Sequence, residues 1–165
     1  GEGLDEVRHA LEIGGKDVPA CLWGSVRIMA AAGCLEEARQ LTMTLDERHP
    51  DSAFSTMAGS FIQALDGAVN EARSAITPEV EAWAGSIAEW AQFIGDCFAV
   101  LGDGDRALEW LERALSLGFL NARFLSQGNP FLRDLRSDPR FQDLLARTER
   151  ELKEYEETLL PIRDL

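Results

Sequence analysis

A short phrase recurs along this chain: Gly33-Cys34-Leu35-Glu36-Glu37-Ala38-Arg39, then Gly67-Ala68-Val69-Asn70-Glu71-Ala72-Arg73, then Gly102-Asp103-Gly104-Asp105-Arg106-Ala107-Leu108. The glycines stand 34 and 35 residues apart. Self-similarity at that period marks stacked helical repeats rather than one closed globular core. Each repeat of such a fold contacts only its neighbours, and the stack presents an extended surface for partners.

The pattern between the glycines agrees. Apolar residues recur at three and four, and nothing alternates with period two over a useful length, so the chain reads as all-α. Expected helices cover about 4–13, 20–31, 35–47, 53–65, 68–76, a long stretch from Pro78 to Leu101 broken near Gly85, 106–117 and 139–159. Pro19 opens the second, and His49-Pro50 stops the third because the residue before proline is pushed out of the helical region. Asp51 or Ser52 caps the fourth. Thr77-Pro78-Glu79 and Ser137-Asp138-Pro139 are cap-plus-proline starts. Asn121 to Ser126 reads as a short helix, Gly128-Asn129-Pro130 as a turn, and Pro161 as the end of the last helix. That helix carries Phe141, Leu144, Leu145, Leu152, Tyr155 and Leu159 on one side and a charged face on the other.

The 34-residue period with small residues at the helix contact resembles the tetratricopeptide repeat. The third unit carries the fullest match: Ile94 and Gly95, Phe98, Ala107, Leu111 and Ala114. In the first unit Ala38 and Pro50 match, and Gly24 and Val26 both fit the small position. In the second, Gly59 and Ser60 both fit it. The resemblance implies a right-handed helical-repeat solenoid of about three helix hairpins, at about 19–52, 53–87 and 88–121, with a C-terminal cap at 122–165. All of these lie in one domain spanning 1–165.

A further resemblance covers residues 76–157, through Ile76-Thr77-Pro78-Glu79, Leu101-Gly102-Asp103, Gly118-Phe119-Leu120-Asn121 and Asn129-Pro130-Phe131-Leu132…Asp138-Pro139-Arg140-Phe141. It is similar to the C-terminal repeat region of bacterial multidomain signalling proteins, which follows a kinase, nucleotide cyclase or DNA-binding domain. The opening Gly1-Glu2-Gly3 runs straight into a helical pattern, as expected of a piece of a longer protein.

Charge narrows the function classes. A net charge of −13 disfavours nucleic acid, whose phosphates need clustered Lys and Arg, and disfavours an anionic membrane surface. No apolar run approaches a membrane span of roughly 20 residues. Cys21, Cys34 and Cys97 have no C-x-x-C spacing and are expected to be buried thiols, with no disulfide or zinc site. Gly102-Asp103-Gly104 lies between helices rather than after a strand, so it is no dinucleotide loop. Asp103-Gly104-Asp105 lacks the later ligands of a calcium loop. His9 and His49 have no ligand-spaced partner.

The expected function is therefore a non-enzymatic interaction module with no cofactor or metal. It would bind a protein, a peptide or a neighbouring domain in a concave groove, in the cytoplasm. A small-metabolite sensor and an oligomerisation element are the alternatives. In this kind of repeat the first helix of each pair lines the groove. Counting positions gives Trp23 and Arg27 in the first unit, Phe54, Met57 and Phe61 in the second, and Glu89, Gln92 and Asp96 in the third. Trp23 and Phe61 fit the core equally well, whereas Glu89, Gln92 and Asp96 are expected to be exposed.

Overall fold

The computed structural model describes residues 2–163. Gly1, where the sequence suggested a cut end, lies outside the described residues, as do the side chains from Leu159 onward. Every regular element among the described residues is helical, as the apolar spacing required, and none of these helices is long and apolar enough to cross a membrane. The chain divides into two compact units between Trp83 and Ala84. The second expected repeat, 53–87, runs across that boundary.

The recurrent phrase builds one piece of structure three times among the described residues. Helices α2 (Pro19–Ala31) and α3 (Leu35–Arg48) form one hairpin, α4 (Ala53–Leu65) and α5 (Val69–Ala75) another, and α7 (Ala88–Val100) and α8 (Gly104–Ser116) a third. Gly33, Gly67 and Gly102 sit at the turns with φ of 80°, 84° and 73°. After each glycine a backbone N–H reaches back five residues: Cys34 to Met29, Ala68 to Gln63 and Asp103 to Phe98, all at 2.9 Å. The glycine N–H bonds the carbonyl three residues back, at Ala30, Ala64 and Ala99. This double closure satisfies carbonyls that a helix end would otherwise leave bare, and it needs a left-handed residue that only glycine supplies without steric cost.

The paired helices approach through small residues. Ala38, Ala72 and Ala107 are fully buried in the second helices. Ser60 meets Ala72 and Gly95 meets Ala107, and the buried Ser25 holds the equivalent position of the first hairpin, each of the three 35 residues from the next. The small position of the first repeat is thus Ser25, neither Gly24 nor Val26, and that of the second is Ser60 rather than Gly59. Each serine keeps its hydroxyl satisfied inside the contact: Ser25 donates to the Cys21 carbonyl and Ser60 to the Ala72 carbonyl, both at 2.8 Å. At Gly95 a β-carbon would stand 3.2 Å from the Leu111 side chain, so the closest approach takes the smallest residue.

In the first unit α1 (Glu2–Glu12) is followed by a 3-10 turn, Gly15–Asp17, that the sequence pattern did not announce. The core is Leu22, Trp23, Val26, Met29, Leu45, Met57 and Phe61. Ser52, not Asp51, caps α4 by accepting from the Ser55 N–H at 3.0 Å. Arg8 on α1 donates to Glu37 on α3 at 2.9 and 3.0 Å, and Arg39 donates to Asp66 at 2.6 Å. These pairs lie at the surface, where solvent screening leaves each a small contribution to stability. The short α6 (Pro78–Ala84) starts at Thr77, whose hydroxyl accepts from Val80 N–H.

In the second unit Gly118 (φ 97°) repeats the left-handed turn at the end of α8, with Phe119 N–H bonding the Ala114 carbonyl at 3.0 Å. The chain then makes a π-helical turn, Phe124–Gly128, and a 3-10 helix, Pro130–Leu135. Asp138 caps α9 (Pro139–Arg163) through the Arg140 N–H at 2.8 Å. Helix α9 runs through Pro161 instead of stopping before it. A proline there lacks only the N–H that would bond the Glu157 carbonyl, and that residue is exposed, so water can take the place of the lost bond. Phe141, Leu144, Leu145 and Thr148 bury the first half of α9, and Arg147 clamps Glu112 of α8 with two bonds at 2.8 and 2.7 Å. The expected stripe does not continue. From Glu149 to Thr158 no residue is buried, and Tyr155 is 58% exposed, because no element of the second unit extends beneath that part of the helix.

Replacing Ala107 by Leu drives three extra heavy atoms into the α7/α8 contact. The expected cost is about 1–3 kcal/mol, read as a lower urea midpoint with an unchanged slope; a neutral result would show that this contact is loose.

Candidate docking face and buried polar cluster

The structure separates the expected groove residues into three groups. Trp23, Met57 and Phe61 are fully buried. Trp23 and Phe61 meet edge to face with ring centroids 5.5 Å apart, so both belong to the core of the first unit. Arg27 is also buried, at 9% exposure. Phe54 is half-buried and stands edge-on to Trp83 at 4.9 Å. Of the three residues expected to be exposed on α7, only Glu89 is. Gln92 and Asp96 are fully buried.

The burial of Gln92 and Asp96 has a clear cause. The tail of the second unit, Asn129 to Leu135, packs on α7 and brings a polar partner with it. One carboxylate oxygen of Asp96 accepts from Gln92 Nε2 at 2.7 Å and from Asn129 Nδ2 at 2.6 Å. Asn129 is itself buried. Its Oδ1 accepts the Phe131 N–H at 3.1 Å, which starts the 3-10 helix, and its carbonyl accepts from Arg136. The cluster thus ties the Asn129-Pro130 turn to α7. Gln92 Oε1 stays buried without a hydrogen-bond partner. Sequence spacing placed Gln92 and Asp96 on one side of a helix correctly, and only the tertiary course of residues 121–138 covers that side.

The side of the first unit that does face outward lies one residue further along α2 than expected and two residues further along α4. On α2 it carries Cys21, Gly24 and Ile28; on α4, which packs beside α2, it carries Thr56, Gly59 and Gln63. Each member of one trio is 35 residues from its counterpart. Cys21, Ile28 and Gln63 are exposed, and the others half-buried. A one-residue step turns a helix by about 100°, which moved Trp23 and Arg27 inward and Gly24 and Ile28 outward. Cys21 is therefore not the buried thiol expected of it; Cys34 is half-buried, and Cys97 alone of the three is buried. A β-carbon on Gly24 or Gly59 would meet nothing within 4 Å. Among the described residues neither glycine serves a turn or a close contact. An unpacked mid-helix glycine costs about 0.5–1 kcal/mol relative to alanine, and its recurrence at the repeat spacing was the signal that could have found this face.

The charged groups with perturbed acidity serve caps and surface pairs. Arg39 holds the Asp66 carboxyl below its usual range, and Arg8 does the same to Glu37. Asp138 is lowered by the Arg140 side chain and then by the Arg140 backbone N–H, and Glu79 by the Thr77 hydroxyl. In each case the ionised form is favoured, the opposite of a carboxyl poised as a general acid. Among the described residues no three His, Cys, Asp or Glu side chains converge as a metal site. Compared with known proteins, the chain matches no family model, no curated protein and no solved structure.

Truncating Asn129 to Ala removes one donor from buried Asp96 and the cap of the 3-10 helix together. The second unit is expected to lose about 1–3 kcal/mol, and amide exchange should accelerate across 121–138 while α8 stays protected; uniform protection across that segment would sink the assignment.

Proposed function

We propose that this chain is a non-enzymatic protein–protein interaction module of tetratricopeptide type, the regulatory part of a cytoplasmic bacterial signalling protein. The observation that carries the reading is the outward side of α2 and α4. It presents Ile28, 47% exposed, beside two stretches of bare helix backbone at Gly24 and Gly59. Glycines without a packing role lower the stability of their own helices, and they let a partner's backbone approach closely. An apolar anchor next to such an approach suits a helix or extended peptide. The same turn built three times, with small residues at each helix contact, supports the repeat reading independently of the face.

Two measurements test it together. Gly59→Ala should stabilise the isolated protein by about 0.5–1 kcal/mol while weakening partner capture. A photo-crosslinking residue at position 28 or 63 should trap one defined protein in cells, and the same residue at exposed position 109 should trap none. Equal trapping from all three positions, or none from 28 and 63, would remove the proposed face.

A second reading draws on a different observation. The half of α9 from Glu149 to Thr158 stands clear of its own unit with Leu152 half-buried and Tyr155 exposed, as expected of an oligomerisation element. Light scattering on the isolated chain decides it: a dimer that Tyr155→Glu converts to monomer supports it, and a monomer at high concentration excludes it.

A further inference from the structure

The cations of this acidic chain are mostly engaged. Arg8, Arg39, Arg48, Arg106, Arg140 and Arg147 all hold carboxylates. Arg123, like Arg133 and Arg150, is not among them. It is exposed, and its guanidinium has no ion pair or hydrogen bond to any described residue. It lines an open hollow of about 380 Å³ in the second unit, together with Asn121, Phe124, Gln127 and Gly128. Among the described residues no carboxylate lines that hollow, in a chain with 29 acidic residues. The nearest stretch of sequence, 121–136, sets Arg123, Arg133 and Arg136 against Asp134 alone.

The wall has a fixed shape for local reasons. Asn121 Oδ1 accepts the Phe124 N–H at 3.0 Å, so the group it has left to offer is its NH₂ donor. The π-helical turn closes with the Asn129 N–H on the Phe124 carbonyl at 2.8 Å; such turns are rare and recur at functional sites. The Phe124 ring lies against the bare backbone of Gly128, where a β-carbon would stand 3.1 Å from Cδ2, and meets Phe119 edge to face at 6.3 Å. The hollow therefore combines a forked cation, two amide side chains and one positioned aromatic ring.

We propose that this hollow binds a carboxylate joined to an aromatic or apolar group. Arg123 takes the two oxygens through its paired N–H donors, the geometry guanidinium matches best. The Asn121 and Gln127 amides complete the donor set, and Phe124 packs against the ligand's apolar part. The size suits a group of one amino acid residue. The shared chemistry belongs either to the free C-terminus of a peptide or to a small aromatic acid. The site lies in the second unit, so it stands or falls separately from the docking face on α2 and α4.

The test is an amide-resonance titration of the full chain. The probes are N-acetyl-phenylalanine, its neutral amide N-acetyl-phenylalaninamide, and a tetrapeptide with a free C-terminal phenylalanine. The expected result is saturable shifts at Gln127 and Gly128 with the two acids and at least tenfold weaker binding of the amide. Arg123→Gln should weaken acid binding at least tenfold without disturbing resonances of α7 or α8, and Arg123→Lys should lose only part of it. Tighter binding of the tetrapeptide than of the single residue identifies a chain terminus; equal binding identifies the small acid. No saturable shift at about 10 mM acid, well above a millimolar affinity, overturns the proposal. So does equal binding of acid and amide, or an Arg123→Gln variant that binds as well as the parent.

Discussion

Everything in the repeated part of this protein depends on a left-handed glycine at the end of one helix and a fully buried alanine one turn into the next. The glycine reverses the chain in a single closed turn, which fixes where the second helix starts. The alanine lets that helix lie close enough for the larger side chains to interlock. Neither works alone. A reversed chain with a bulky residue at the contact would splay, and a small residue without the turn would have nothing to face. The three occurrences differ in the small residue of the first helix: serine, serine and glycine. The serines are tolerated because each returns its hydroxyl to a nearby carbonyl, so no buried donor is left idle.

The tail of the second unit obeys a different logic. It has no glycine–alanine hairpin to place it and uses a buried carboxylate instead. Asp96 draws the Asn129 side chain inward, and Asn129 in turn starts a 3-10 helix and fixes the proline turn. A buried charge is costly unless its hydrogen bonds are made. Asp96 has amide donors from both its own helix and the tail, which makes the tail's position specific rather than merely apolar. The same packing covers the side of α7 that repeat counting would have left open. The end of α8 and the π-helical turn are left at the surface, where Arg123 and Phe124 line an open hollow.

Much of the fold was legible. The glycine spacing located the hairpins, and the proline and cap signals located the starts of α4, α6 and α9 within a residue or so. These are local effects: a glycine's φ, a proline's missing N–H and a serine's reach to a backbone N–H act within a few positions. The register was less legible. Gly24 and Gly59 look like packing residues because small size is what helix contacts require, yet Ser25 and Ser60 fill that role. Size alone cannot distinguish a glycine that is small for an internal neighbour from one that leaves the surface bare. That ambiguity displaced the expected groove by one residue on α2 and by two on α4, sending Trp23 and Phe61 to the core and leaving Ile28 outside.

The sequence by itself determined the helical class, the hairpin turns and the acidic surface, since each follows from local conformation or from composition. Only the tertiary structure decided which face of each helix meets solvent, that the polar residues Gln92 and Asp96 are buried, and that α9 outruns its support. Those outcomes depend on what another segment brings alongside. A periodic pattern specifies that a helix has two sides, and only the neighbouring chain determines which of them is covered.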